Sequence, residues 1–177
     1  VSLPCYQPNN AQRPCETEEI QRSSTGLPAH GFVFCSFNQS FKITANVFAS
    51  WMRILHAVPD SVLWLLECNR WATANLQQAA GAAGIHPKRL VFAPRTAIAK
   101  HMARLKHADL ILDTLPYNGH TTASDALWCG IPIITVEGDT FAARVTSSLL
   151  QRIDMKTLVC YDWQAYEALA IQLARDP

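Results

Sequence analysis

The chain has 177 residues, of which 49% are hydrophobic and 16% charged, and its formal net charge is +1. That composition belongs to one packed globular domain and excludes a disordered chain. So even a charge balance gives no reason to expect nucleic acid, an anionic membrane or an acidic partner as the main target, and partner choice must come from a site. No apolar run approaches the roughly 18 residues of a membrane span, and Val1-Ser2-Leu3-Pro4 lacks the basic-then-apolar order of a leader.

Six cysteines (Cys5, Cys15, Cys35, Cys68, Cys129, Cys160) are scattered without a C-x-x-C pair. Cys35 and Cys160 fall in apolar, strand-like runs. The pattern predicts reduced thiols in a cytoplasmic setting rather than a disulfide framework or a zinc site. The six histidines show no H-E-x-x-H spacing, so no metal is expected.

Residues 1–29 carry Pro4, Pro8, Pro14, Asn9-Asn10, Ser23-Ser24 and Gly26-Leu27-Pro28, and read as an irregular connecting segment lying over something else. Phe32 to Phe37 is the first buried strand. Thr44 can cap a helix whose apolar residues Val47, Trp51, Ile54, Leu55 and Val58 recur at spacings of three and four, and Pro59 stops it. Ser61 to Glu67 is a second strand, Asn69 to Gly84 a helix, Arg89 to Ala93 a third strand, Ile98 to His107 a helix, and Leu110 to Leu112 a fourth strand. A helix then runs through Trp128 with Gly130 as its stop, followed by Pro132 to Val136 as a fifth strand. Thr140 to Ile153 reads as a helix with Phe141, Val145, Leu149 and Leu150 inward. Thr157 to Tyr161 is a sixth strand, and Trp163 to Arg175 a final amphipathic helix.

Strands with few polar positions alternating with helices imply α/β architecture, a doubly wound, Rossmann-like parallel sheet of about six strands covered on both faces. In such sheets ligands bind beyond the carboxyl ends of the strands. Three loops meet that condition: 38–42 after the first strand, 94–101 after the third, and 118–122 after the fourth. The first places Gln39 and Lys42 at the sheet edge, an amide and an ammonium suited to phosphate. The last is an anion site: Asn118-Gly119-His120-Thr121-Thr122 leads into a helix start with free N–H groups and the positive end of the dipole. The Thr hydroxyls and His120 add donors, Gly119 permits close approach, and Asp125 lies one turn on, where it can accept from sugar hydroxyls. The same stretch reads equally well as a capped helix, with Thr121 or Thr122 as N-cap and Asp125 at N3. No G-x-G-x-x-G, G-x-x-x-x-G-K-[ST] or G-x-S-x-G occurs, so the residues alone stop at a nucleotide or other phosphate ligand.

Longer motifs go further. Phe37-Asn38-Gln39-Ser40-Phe41-Lys42-Ile43, Val58-Pro59-Asp60 through Leu66, Leu112-Asp113-Thr114, Tyr117 through Thr122, Asp125-Ala126-Leu127-Trp128, Gly130-Ile131-Pro132 and Ala143-Arg144-Val145 strongly resemble the C-terminal catalytic lobe of O-GlcNAc transferases and their SPINDLY-like relatives. The resemblance implies a GT-B glycosyltransferase lobe (residues 30–177) holding UDP-GlcNAc, with protein Ser or Thr hydroxyls as acceptors, after an inter-lobe segment (1–29). It implies that Gln39 and Lys42 contact the diphosphate and that Lys42 is catalytic, stabilising leaving-group charge without a metal or other cofactor. It places the phosphates and nearby sugar on His120, Thr121 and Thr122, the ribose on Asp125, and the base between His101 and Arg104.

One position departs from the family. Three residues before His101 the transferases carry a lysine, and here Ile98 stands instead, with Lys100 next to the histidine. That leaves open a donor such as GDP-fucose, or a non-catalytic interaction module on the same scaffold. Nothing in the 177 residues corresponds to the family's helical (TPR) repeats or N-terminal lobe, which supply the acceptor side. The chain is therefore expected to bind nucleotide weakly and not to transfer sugar alone.

Overall fold

The computed structural model describes residues 12–14 and 20–176. Among these, six strands alternate with six helices: β1 (Phe32–Ser36), α1 (Ala45–Ala57), β2 (Ser61–Leu66), α2 (Arg70–Ala82), β3 (Leu90–Ala93), α3 (Ile98–Leu105), β4 (Leu110–Leu112), α4 (Thr121–Trp128), β5 (Ile133–Val136), α5 (Val145–Arg152), β6 (Val159–Cys160) and α6 (Trp163–Arg175). Every strand pair is parallel, in the order β3-β2-β1-β4-β5-β6. The order grows outward in both directions from a seam between β1 and β4, so the loops leaving these two strands diverge and open a crevice at the sheet's carboxyl edge.

Local chemistry accounts for the element ends. The Thr44 and Asn69 side chains accept the N–H groups of Val47 and Ala72 and start α1 and α2, and Asp162 does the same for α6 through Ala165, 2.7 Å away. α1 stops at Ala57, just ahead of Pro59. The sheet is buried on both faces, as its apolar strands require. Val33, Phe34 and Cys35 of β1 have no exposed surface, and Trp51 of α1 packs at equally complete burial beside Tyr166 of α6.

Three expectations are corrected. The segment 140–153 is not one helix: Thr140 caps a 3-10 turn (Phe141–Ala143) and α5 begins only at Val145. Within it Val145, Leu149 and Leu150 are buried, but Phe141 points outward at 61% exposure. The sixth strand shrinks to Val159–Cys160, because Lys156–Leu158 forms a 3-10 turn ahead of it. Part of the 1–29 segment lies outside the described residues; in the remainder a 3-10 turn (Arg22–Thr25) precedes Leu27, which is buried. Cys5 and Cys15 also lie outside them, and no disulfide joins the four cysteines that are described.

Candidate functional site

The crevice at the β1/β4 seam holds a cavity of about 470 Å³, lined by Phe37, Asn38, Gln39, Lys42, Tyr117, His120, Thr121 and Thr122. A second hollow of about 270 Å³ continues it toward β3, between Gln39, Arg95, Thr96, Ile98, His101, Arg104, Thr122 and Asp125. All eight residues singled out in the sequence line one or both hollows. Gln39 and Thr122 lie at the junction, and Arg95 reaches from the β3 loop to donate to Gln39 Oε1 at 2.9 Å.

Lys42 stands at the floor of the larger cavity. Its Nζ donates to the carbonyl of Asn118 at 2.7 Å and lies 4.0 Å from the centre of the Tyr117 ring. The next N–H along the chain, that of Gly119, donates to Asp113 Oδ1 at 2.6 Å. Asp113 is 2% exposed, and Thr135 donates to its other oxygen at 2.8 Å. Burial pulls the Lys42 ammonium below its ordinary pKa and Asp113's charge opposes this; burial likewise pushes the Asp113 carboxyl up.

The start of α4 differs from the capped helix that the local pattern allows. His120 occupies the N-cap position without a side-chain cap bond, so neither Thr121 nor Thr122 is the N-cap and Asp125 is not at N3. The first intrahelical bond is Ser124 N–H to the His120 carbonyl, which leaves the N–H groups of Thr121, Thr122 and Ala123 outside the helical ladder, at the positive end of the dipole. The His120 ring stacks on Tyr117 at 5.0 Å, and burial, then the Lys42 charge, lower its pKa and favour the neutral imidazole.

The hydroxyl of Thr122, expected to donate to phosphate, donates within the protein in this structure. Thr114 Oγ1 donates to the Tyr117 carbonyl at 2.7 Å and so must accept from Asn38 Nδ2 at 3.0 Å. That turns Asn38 Oδ1 toward Thr122, whose hydroxyl donates to it at 2.9 Å. Thr122 therefore presents lone pairs to the crevice, and its backbone N–H is the group left for an anion.

In the second hollow Arg104 donates to the Pro94 carbonyl at 2.6 Å and to His101 Nδ1 at 3.2 Å. Since a guanidinium only donates, His101 must be the tautomer with its proton on Nε2. Burial, then Arg104 and Arg13, pull its pKa down to about 4, so the ring is neutral at pH 7. Phe37 backs the pair, 5.3 Å from the His101 ring and 5.0 Å from the Arg104 guanidinium. Asp125, 4% exposed, is paired with Arg13 from the N-terminal segment. Burial raises its pKa and Arg13 opposes that. Ile98, exposed at 42%, also lines this hollow.

Sequence reasoning missed Asn38, Asp113, Phe37 and Tyr117. Asn38 and Asp113 had a readable signal, since each is a polar residue just past the end of an apolar strand at the sheet edge that binds ligands. Among the described residues no group of three His, Cys, Asp or Glu is placed to hold a metal.

A doubly wound parallel sheet, with a cation and a helix N-terminus converging on its seam, defines a Rossmann-like lobe whose ligand edge lies at that seam. The family model described as glycosyl transferase family 41 matches residues 10–177, and the chain belongs to that family. It is 37% identical over 155 residues to the UDP-N-acetylglucosamine–peptide N-acetylglucosaminyltransferase of Caenorhabditis elegans, covering 88% of this chain and 14% of that protein. It is 35% identical over 181 residues to the Petunia hybrida protein named as a probable enzyme of the same type, SPINDLY, covering 99% of this chain and 19% of the relative. The solved O-GlcNAc transferase of Thermobaculum terrenum superimposes with a TM-score of 0.82 at 31% identity, over 96% of this chain and 31% of that one. The chain thus spans less than a third of the length of each of these three proteins.

Proposed function

We propose that this chain is the donor-binding lobe of a protein O-glycosyltransferase that moves GlcNAc from UDP-GlcNAc to Ser or Thr hydroxyls. The observation that carries the reading is the convergence of Gln39, Lys42, His101, Arg104, His120, Thr121, Thr122 and Asp125 on one pair of joined hollows. In this reading the diphosphate lies between Lys42 and the first N–H groups of α4, the ribose meets Thr122 and Asp125, and the base lies against His101 and Arg104. The acceptor oxygen bonds to the anomeric carbon, the bond from that carbon to the β-phosphate oxygen breaks, and UDP leaves with the electron pair. The acceptor's proton passes to a base outside this chain. Lys42 is the catalytic group here, because its fixed charge meets the negative charge that builds on the leaving diphosphate.

The reading divides the chain into a connecting segment (1–29) and the lobe (30–177). Helical repeats and an N-terminal lobe elsewhere in the full protein supply the protein acceptor, in a cytoplasmic setting. No described helix is long and apolar enough to cross a membrane. Ile98 favours a second reading, in which the same scaffold takes GDP-fucose, because it removes an expected cation from the hollow assigned to the base. Calorimetry on the full-length protein with UDP and GDP separates the two, as the cognate nucleotide binds much the tighter. Unchanged sugar transfer and UDP affinity in a Lys42→Ala variant would remove the main support for the catalytic reading, and a full-length protein that transfers no sugar from either donor would leave a non-catalytic module.

A further inference from the structure

The contact between Lys42 and the chain is unusual in what lies behind it. The carbonyl that accepts from Lys42 and the N–H that donates to Asp113 belong to one peptide group, the link between Asn118 and Gly119. Its dipole lies between a cation on the cleft side and a buried carboxylate beneath. We propose that Asp113 is a positioning residue for Lys42, acting through this peptide group to keep the ammonium charged and aimed into the cleft. This rests on the reading of Lys42 as the group that meets the diphosphate.

The two residues that share this peptide group are fixed by bonds on either side of it. Asn118 N–H donates to the Ala142 carbonyl at 2.9 Å, Asn118 Nδ2 to the Thr114 carbonyl at 2.8 Å, and the Thr146 hydroxyl to the Gly119 carbonyl at 2.9 Å. Gly119 leaves no room to shift, since a Cβ there would stand 2.6 Å from Thr122 Oγ1 and 3.3 Å from Asp113 Oδ1. Three titratable groups face Lys42: Asp113 below, and His120 and Tyr117 from the loop after β4. Asp113 faces Lys42 and, from α6, the Tyr166 hydroxyl. Asp113 is thus the acid whose charge supports the ammonium.

An indirect pairing suits the chemistry better than a salt bridge. A carboxylate in direct contact would accept hydrogen bonds from the ammonium's N–H groups and repel an arriving diphosphate. With one peptide group between them, Asp113 offsets the cost of burying the cation, while two of the three N–H groups of Lys42 stay available to an anion.

The test is the pH profile of the full-length protein with Asp113→Asn, which keeps the side chain's shape and removes its charge. Lys42 works while protonated, so activity is present below its pKa and lost above it. The variant moves this alkaline limb to lower pH and lowers kcat roughly tenfold at pH 8, with a smaller loss at pH 6. Joined to Lys42→Ala it causes no further loss. A folded Asp113→Asn protein with an unmoved alkaline limb, or a double variant whose loss is the product of the two single losses, overturns the proposal. If Asp113→Asn does not fold, the coupling is read from the other side by carboxyl NMR of Lys42→Met, because linkage is reciprocal. There the Asp113 pKa rises further, and an unchanged titration overturns the proposal. The NMR readout needs no nucleotide, so it stands even if the protein proves to transfer no sugar.

Discussion

The hydroxyl of Tyr166 donates to the main-chain carbonyl of Asp113, 3.0 Å away, and so ties the last helix to the residue beneath the cleft. The same hydroxyl accepts the indole N–H of Trp51 at 3.2 Å. Trp51, Tyr166 and Asp113 are at most 2% exposed. Tyr166→Phe strands a buried donor and a buried acceptor, and costs about 2 kcal/mol of stability. Urea unfolding shows this as a lower midpoint at unchanged slope. Tyr161→Phe, at a side chain 74% exposed, leaves the midpoint in place.

Thr122→Val removes the hydroxyl that satisfies Asn38 and takes its lone pairs out of the junction between the two hollows. UDP affinity falls about tenfold by calorimetry, whereas Thr122→Ser stays within a factor of about three, because the serine hydroxyl repeats both contacts. Equal affinity in the valine and wild-type proteins would show that the Thr122 side chain does not meet the ligand.

His101 gives the stability curve an acid slope. Its pKa in the folded protein, about 4, lies below the ordinary histidine value, so the unfolded chain takes up the proton more readily. Its contribution is complete above pH 6.5 and declines as pH falls toward 4. His101→Gln, which cannot titrate, flattens that part of the curve when unfolding midpoints are compared at pH 7, 5.5 and 4.5. A variant curve parallel to the wild type would remove histidine from the account.

Arg13→Ala leaves the buried Asp125 carboxylate without its cation. Burial already raises the folded pKa of Asp125, and loss of Arg13 raises it further. The penalty is present at pH above that folded pKa and relieved as the group protonates. The variant is therefore more destabilised at pH 7 than at pH 4.5. The opposite order would mean that the pair does not form in solution.

The 177-residue chain alone is expected to bind UDP weakly and to leave a peptide acceptor unmodified. Mass spectrometry of the peptide after incubation with UDP-GlcNAc checks this, and a single added GlcNAc refutes it.

Much of this molecule is legible in its sequence because the relevant signals are local. Apolar runs mark the strands, and the interval from Trp163 to Arg175 is read to the residue, since Asp162 caps it and its apolar spacing is regular. Gln39, Lys42 and the loop at 118–122 follow apolar runs directly, so the rule for parallel sheets is enough to place them. What escaped is set by partners far along the chain. Thr122 looks like a cap or a phosphate donor, and only the fold shows its hydroxyl donating to Asn38, 84 positions earlier. The helix expected from Thr140 breaks because the carbonyls of Ala142 and Ala143 turn to meet Asn118 and Gly138. Phe141 faces out for the same reason, its ring set edge-on to His120.

The strand order carries one more implication, for how the molecule comes together. β1, β2 and β3 form one half and β4, β5 and β6 the other; their strands meet along one seam, where Phe34 pairs with Leu110 and Cys35 with Ile111, and α1 packs on α6 beside it. Gln39 and Lys42 belong to the first half, and His120, Thr121, Thr122 and Asp125 to the second. Neither half alone contains the binding crevice. Closing that seam brings together residues about 76 apart in sequence, among the slower steps open to a chain of this size. Recovery of nucleotide affinity during refolding then reports the moment at which the two halves dock, and a bound nucleotide acts as a clasp across the line where they join.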